Sequence, residues 1–557
     1  MPGGTMTVSF HGFIRRSPAF GLLPALAAVL LPAMAEATYV AAPPDPFSTI
    51  IQQELESMAP DGGEAVAVLR DWYAETRFQP LWIGPNGANG KAHEFLDILR
   101  RADREGLEPN DYPAAEIGAR MVSSPADGEL LLSEALVHYV SDLRTGRLSP
   151  RTVDPALFLQ PGEIDRIAVL RAARDAPDIA AAMESFTPAN PIYRRLRRVL
   201  ATYREIEAGG GWPLVPEGPS LKPGMRDGRV TLLRQRLMAT KDLLHDGGEP
   251  DLYDEALQQA VERFQNRHGL DADGIAGRRT LAELNVPVKR RIEQIVVNME
   301  RWRWMPDDLG DRHILVNLAG FELDVVESGS VAMTMRIITG KPYRRTPVFS
   351  GLMTYMEFNP TWTVPPTIVK HDILPKLRED PGYLASRNMH VFLGWRDDST
   401  ELAATAIDWQ AVDPKRVPYR FRQDAGPDNA LGRVKFMLPN RFGIYLHDTP
   451  ARELFSKTVR SFSSGCVRVE DPLGLAEYLA ADLPGWDRKR IDELVASAKT
   501  TVVKLAKPLP VHLTYSTVWL GEGGTIHFRD DIYARDDLLF QALFGYPPSR
   551  KQVRQDR

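Results

Sequence analysis

Along residues 47–207, apolar side chains recur at three- and four-residue spacing, as in 65–78, 93–102 and 128–143, a pattern that predicts amphipathic helices. Pro109-Asn110 and Ser149-Pro150 punctuate it as loops. This region reads as a helical scaffold. A Gly- and Pro-rich linker covers 208–224, and a compact unit follows at 225–290. There Leu232, Leu233, Leu237 and Met238 line one predicted helix, Ala256, Ala260, Val261 and Phe264 a second, and Thr280, Leu281 and Leu284 a short third. From Arg312 the period changes to two. Ile314, Val316 and Leu318 alternate with polar neighbours, as do Phe321, Leu323 and Val325, and Glu327-Ser328-Gly329-Ser330 reads as a turn before 331–338. Further strand-like runs occupy 353–358, 433–438 and 443–446. Residues 312–504 are therefore expected to form a β-rich domain, interrupted at 371–428 by a polar, partly helical insertion. An insertion of that length is either a functional lid or disordered. Its Tyr383, Phe392, Trp395 and Trp409 favour a folded lid. Residues 505–557 read as an extension packing on the scaffold or the β-rich domain. The fold class is multidomain α+β.

Composition narrows the function. The 557 residues are 43% hydrophobic and 25% charged, ordinary for a protein with soluble cores. A net charge of −5 argues against a general nucleic-acid binder. At the N-terminus, Arg15-Arg16, the apolar run 19–31 and Ala33-Met34-Ala35 form a signal-peptide pattern over 1–35, cleaved near Ala35. This implies export to the periplasm, the alternative being an uncleaved anchor. No later segment approaches 18 consecutive apolar residues, so no transmembrane segment is expected after cleavage. Asp271-Ala272-Asp273-Gly274 has the spacing of a calcium loop but lacks the further ligands, notably the closing glutamate. The eleven histidines form no metal-ligand spacing, so neither metal nor cofactor is assigned.

Cysteine usage points to chemistry. An exported protein usually pairs its cysteines, yet Cys466 is the single cysteine here. A buried, inert thiol is one reading. The other follows from its surroundings. His447 ends the strand-like run Ile444-Tyr445-Leu446-His447, and Cys466 follows a turn in Ser463-Ser464-Gly465-Cys466-Val467-Arg468. A strand-end histidine and a cysteine after a glycine turn are the parts of a nucleophile–base pair. Gly465 lets the backbone bend so that amide N–H groups point at a substrate carbonyl. Arg468 shares a face with Cys466 in an extended run, as a carboxylate clamp, a brace or one half of a structural ion pair. Tyr445 shares the face of His447 and lines the same pocket. Trp362 is either a substrate wall or core. Asp448 directly follows His447 and would face the opposite way.

The segments His447…Ser463-Ser464-Gly465-Cys466-Val467-Arg468 resemble the catalytic signature of the L,D-transpeptidases with a YkuD-type domain. Ser464 stands where the common form has a second histidine, as in the large periplasmic branch typified by YcbB. Gly340-Lys341-Pro342-Tyr343-Arg344-Arg345-Thr346-Pro347, Asn359-Pro360-Thr361-Trp362-Thr363-Val364-Pro365-Pro366 and Asn429-Ala430-Leu431-Gly432-Arg433-Val434-Lys435-Phe436 look like that branch too. The pattern V-x-x-F-Q…G-L-x-x-D-G-I-x-G within 225–290 resembles the three-helix peptidoglycan-binding module. The resemblance implies an acyltransferase that forms 3→3 peptidoglycan cross-links on stem peptides. Cys466 would be the nucleophile, His447 the proton donor and acceptor, and a backbone carbonyl near Ser463 would orient His447. Arg468, Tyr445, Trp362 and Ser464 would face substrate, and cell-wall synthesis enzymes are possible partners. A thiolate–imidazolium pair would be available to such a site. L,D-carboxypeptidase action, D-amino-acid exchange and a non-catalytic wall-binding scaffold are the competing readings.

Overall fold

The computed structural model describes residues 46–58, 63–245, 247–396 and 398–545. The signal-peptide pattern at 1–35 lies outside them. Among the described residues no helix is long and apolar enough to cross a membrane. The chain is multidomain α+β, with a helical N-terminal part, a small helical module and a β-rich domain.

In the helical part, the long helix Pro125–Thr145 forms the axis, opened by Pro125 at its first turn and stopped by Gly146. Its buried Leu136, Val140 and Leu143 share a core with Trp72, Trp82 and Phe95. Glu129 is fully buried on this helix, where it accepts hydrogen bonds from Tyr73 Oη at 2.7 Å and Trp82 N at 2.9 Å. Gly146 has φ +83°, and a Cβ there would stand 2.7 Å from Glu300 Oε1 and Trp304 Nε1. The Thr145-Gly146-Arg147-Leu148 stretch is therefore a close-approach joint.

What it approaches is the helix Val288–Arg303, an element left unassigned above although Ile292, Ile295, Val296, Met299 and Trp302 recur at helical spacing. Arg291, Glu293, Asn298, Glu300, Arg301 and Arg303 are all buried on it. Each named contact has a partner elsewhere in the chain or along the helix. Arg303 pairs with Glu300 at 2.8 Å and donates to Tyr193 Oη at 3.1 Å. Glu300 accepts from Leu148 N at 3.0 Å, Arg301 lies 2.6 Å from Asp536, and Asn298 donates to Thr517 Oγ1 at 2.8 Å. Buried charges persist when paired: Glu300 and Arg303 are also hydrogen-bonded, Arg301 is held by its ion pair with Asp536 alone, and together they join scaffold, β-rich domain and C-terminal segment.

The small module has a core of its own around Leu233, Leu237, Tyr253, Leu257, Val261 and Phe264. Gln265 donates to Asp273 at 2.8 Å, to Ile275 O at 2.9 Å and to Thr280 at 3.1 Å, and it accepts from Gly274 N at 2.9 Å. The Phe-Gln…Asp-Gly-Ile pattern thus staples the loop to the second helix. The residues that carry the resemblance hold the fold.

The β-rich domain is a sheet that closes on itself. Its order runs Val434–Met437, Leu446–His447, Val467–Val469, Ser330–Gly340, Glu322–Glu327, Arg312–Asn317, Thr501–Thr514 and Val348–Phe358. The last strand pairs back onto Val434–Met437. Ser328 and Gly329, with φ +49° and +76°, make the hairpin turn after Glu327. Thr501–Thr514 is a single strand between Arg312–Asn317 and Val348–Phe358, so a boundary at 504/505 cuts through the sheet instead of opening an appended extension. Pro508 and Pro510 read as strand breakers in sequence. A register shift between Lys504 and Leu509 accommodates Pro508, while Pro510 stays in register opposite Leu352. From the scaffold, Leu157–Phe158 adds in parallel to Val348 and Phe349.

The insertion is a separate four-stranded sheet, in the order Glu401–Leu402, Met389–Leu393, Tyr419–Gln423 and Trp362–Thr363. Val364, Leu377, Val391, Trp409 and Phe421 form its core. It begins at Trp362 and not at 371, because Trp362 and Thr363 pair with Gln423 and Arg422. The Pro365-Pro366 break hides that short strand from a pattern reading.

Glu300→Ala leaves the Arg303 guanidinium buried without its counter-charge. The expected loss is about 3–5 kcal/mol of stability, read as a lower urea midpoint; a change below about 1 kcal/mol would show that the helix does not depend on the pair.

Candidate active site

Strand register assembles the site. Leu446 pairs with Phe436 on one side and Val467 on the other, and all three are fully buried in the core. The alternate positions face the other way. His447 stands beside Lys435 and Arg468, with Tyr445 and Cys466 one step behind them on the same face. The Cys466 thiol is half-buried, 3.7 Å from Gly443 O, with Tyr445 close enough to act on its charge. Trp362, at the start of the insertion, neighbours Tyr445 in turn. Trp362 is therefore neither simple core nor an isolated wall, but a contact between the insertion and the residue that touches the thiol.

The turn before Cys466 is fixed from several sides. Gly465 has φ +125°, a conformation that L side chains rarely adopt. Ser463 Oγ accepts from Gly465 N at 3.1 Å and donates to Cys466 O at 2.5 Å. Thr346 Oγ1 donates to Gly465 O at 2.8 Å, and Lys341 N donates to Ser463 O at 3.0 Å. Ser464 Oγ accepts from Arg344 at 2.8 Å.

Two expectations change here. The Ser463 carbonyl accepts from the Lys341 amide and makes no bond to His447, whose Nδ1 meets another main-chain oxygen. His447 Nδ1 lies 2.5 Å from the carbonyl oxygen of Asp448. A carbonyl only accepts, so Nδ1 carries the proton and Nε2 is left as an acceptor. The Asp448 carboxylate does face away, bound to Arg433 N at 2.9 Å and Arg433 Nε at 2.8 Å, so the main chain and not the acid serves the imidazole. Arg468 makes no ion pair among the described residues, and its buried Nε has no hydrogen-bond partner. The structural-ion-pair reading of Arg468 therefore has no partner to rest on.

Burial lowers the His447 pKa to about 3, with the Arg468 and Lys435 charges adding to the effect and the Asp448 carbonyl opposing it. Burial also raises the Cys466 thiol above its ordinary value, against the opposing influence of Tyr445 and the same two cations. Desolvation disfavours both charged forms. The unliganded site thus holds a neutral thiol and a neutral imidazole, not the thiolate–imidazolium pair expected from sequence. Sequence reasoning also missed Lys435, whose ammonium lies 4.5 Å over the Tyr445 ring and 3.8 Å from Glu357. It missed Arg344 as well. Both lie in segments quoted for the resemblance; alternation from His447 across the neighbouring strand was the available signal for Lys435.

Residues 311–503 match the family model for the L,D-transpeptidase catalytic domain. The chain carries an L,D-transpeptidase domain. Residues 67–200 match a scaffold domain, and 226–284 match a "Putative peptidoglycan binding domain". A Haemophilus influenzae protein named "Putative L,D-transpeptidase" is 37% identical over 261 residues, which cover 47% of this chain and 52% of that protein. The match thus spans about half the length of that relative. Among solved structures, an L,D-transpeptidase from Stackebrandtia nassauensis is 15% identical, covering 56% of this chain and 99% of its own with a TM-score of 0.20. Another from Xylanimonas cellulosilytica is 18% identical, covering 54% and 99% with a TM-score of 0.16. Scores that low add nothing to the assignment of the transpeptidase domain.

The raised thiol gives the transpeptidase domain a distinct pH signature. Alkylation of Cys466 by iodoacetamide in the free enzyme should rise with pH through a midpoint above that of an ordinary thiol. A plateau already reached at neutral pH would show a resting thiolate and overturn this electrostatic picture.

Proposed function

We propose that this chain is an exported L,D-transpeptidase that forms 3→3 peptidoglycan cross-links through Cys466. The observation that carries the reading is the convergence of Cys466, His447, Tyr445 and Arg468 on one face of the matched domain. The carbonyl of the third stem residue, a diamino acid, is attacked by the Cys466 sulfur. The thiol proton passes to His447 Nε2 as the S–C bond forms, so the charged pair arises during reaction and not before it. The Gly465 amide is already bonded to Ser463 Oγ. The Cys466 amide has no partner among the described residues, so it is the donor available to the developing oxyanion. His447 then gives its proton to the departing D-alanine amine as the C–N bond breaks, leaving a thioester. An acceptor side-chain amine attacks the thioester, His447 takes its proton, and the thiol is restored. Arg468 and Lys435 supply positive charge beside a reaction that passes through an anion, and the uncompensated Arg468 suits a stem carboxylate.

The module at 226–284 supports docking on peptidoglycan, and the signal-peptide pattern supports a periplasmic location. We read the insertion as a lid. It meets the site through Trp362 and excludes water from the thioester, which favours an amine acceptor over hydrolysis.

Mass spectrometry of products from a purified tetrapeptide donor tests the reaction. Cys466→Ala should give no dimer and no tripeptide, and His447→Ala should lose at least about a hundredfold in rate. Dimer formation by Cys466→Ala at the wild-type rate would refute the nucleophile. Trimming 371–423 while keeping its ends joined should raise the proportion of hydrolysed tripeptide to dimer; an unchanged ratio and rate would mean that the insertion is not a lid.

A further inference from the structure

Arg344 lies between two parts of the molecule that are remote in sequence. Its guanidinium donates to Ser464 Oγ at 2.8 Å and forms an ion pair with the Asp372 carboxylate. Ser464 belongs to the turn that presents Cys466. Asp372 belongs to the insertion, in the π-helical segment Val369–Ile373. That segment is held firmly, because Val369 and Ile373 are both buried in the insertion core. The Arg344 side chain is 16% exposed, while Asp372 at 38% and the exposed Ser464 leave the two ends of the bridge in reach of water.

The loop bearing Arg344 is fixed on its other side. Gly340 N donates to Thr346 Oγ1 at 2.9 Å, Thr346 Oγ1 donates to Gly465 O, and Tyr533 Oη donates to Gly340 O at 2.7 Å. A Cβ on Gly340 would lie 2.1 Å from Arg344 O, so the loop has no room to rearrange there. One end of the bridge thus rests on a rigid loop, and the other reaches an element of the insertion. The insertion also approaches the site through Trp362, a neighbour of Tyr445.

We propose that Arg344 is a positioning residue: it couples closure of the insertion to the geometry of the nucleophile turn. With Asp372 in place, its charge holds the guanidinium where it can donate to Ser464, and the turn before Cys466 keeps a side-chain restraint as well as its backbone ones. When the insertion lifts, Asp372 withdraws, Arg344 loses its counter-charge, and the donor to Ser464 is released with it. The attack geometry is then complete only under a closed insertion, where water is excluded. The proposal rests on the reading of Cys466 as nucleophile and of the insertion as lid.

The test is a mutant cycle in the full-length enzyme, with a tetrapeptide donor, measuring kcat, KM and the ratio of hydrolysed tripeptide to dimer. Arg344→Ala should lower kcat about tenfold with KM within about twofold, the size expected when a reacting group is misplaced without loss of binding. Arg344→Lys, which keeps the charge, should recover part of kcat. Asp372→Asn should raise the hydrolysed fraction in the wild-type background and add nothing to Arg344→Ala, because residues acting through one partner are not additive. Asp372→Asn and Ser464→Ala each remove one bond with little change of bulk, so they carry the test if circular dichroism shows Arg344→Ala unfolded. A raised KM with kcat intact would make Arg344 a substrate-binding group and overturn the proposal. An Asp372→Asn effect that persists in full beside Arg344→Ala would overturn it too. Cys466→Ala, assayed alongside, fails separately if the nucleophile reading is at fault.

Discussion

The helix Val288–Arg303 has to hide its charges, and most of the architecture follows from how it does so. Its sequence is too polar for a core element, yet thirteen of its residues are buried. A guanidinium or carboxylate withdrawn from water must meet an opposite charge and hydrogen-bond partners, or the fold is lost. Those partners come from every side. Tyr193 and Leu148 are scaffold residues, Glu283 lies in the small module, and Thr517 and Asp536 belong to the C-terminal segment. A hydrophobic helix could slide against such neighbours. A helix with directional bonds to each cannot, so the domains are set in one arrangement, and with them the scaffold strand Leu157–Phe158 that joins the catalytic sheet.

Much of this was legible in the sequence, and the failures share a cause. The hairpins from Arg312 onward and the helical scaffold show where local pattern and final structure agree. The helix Val288–Arg303 escaped because its many charged residues obscure the apolar stripe of Ile292, Ile295, Val296, Met299 and Trp302. The strand Thr501–Thr514 escaped because Pro508 and Pro510 mimic a break. The partner of His447 was misplaced for a subtler reason: a carbonyl has no signature in sequence, and the main chain at Asp448 turns toward the ring while its side chain turns away. Arg344 and Lys435 were visible as letters but not as neighbours, since strand pairing and loop closure bring them to the thiol.

The site also illustrates how burial and reactivity trade against each other. Burying His447 and half-burying Cys466 removes water that would otherwise stabilise their charged forms. The resting enzyme is correspondingly quiet toward stray electrophiles and oxidants, which attack thiolates. The same desolvation strengthens the influence of Arg468 and Lys435 on any negative charge that develops. A thiol kept protonated is a poorer target for oxidation than a thiolate.

The closed sheet carries a consequence for how the enzyme comes into being. The strand Thr501–Thr514 lies between the strands Arg312–Asn317 and Val348–Phe358, although the chain makes those far earlier. During synthesis, the turn holding Cys466 therefore emerges before the strand that closes the ring around its sheet. A nascent or prematurely terminated chain possesses Cys466 without the framework that presents it. The geometry around that thiol is thus a property of the finished chain alone.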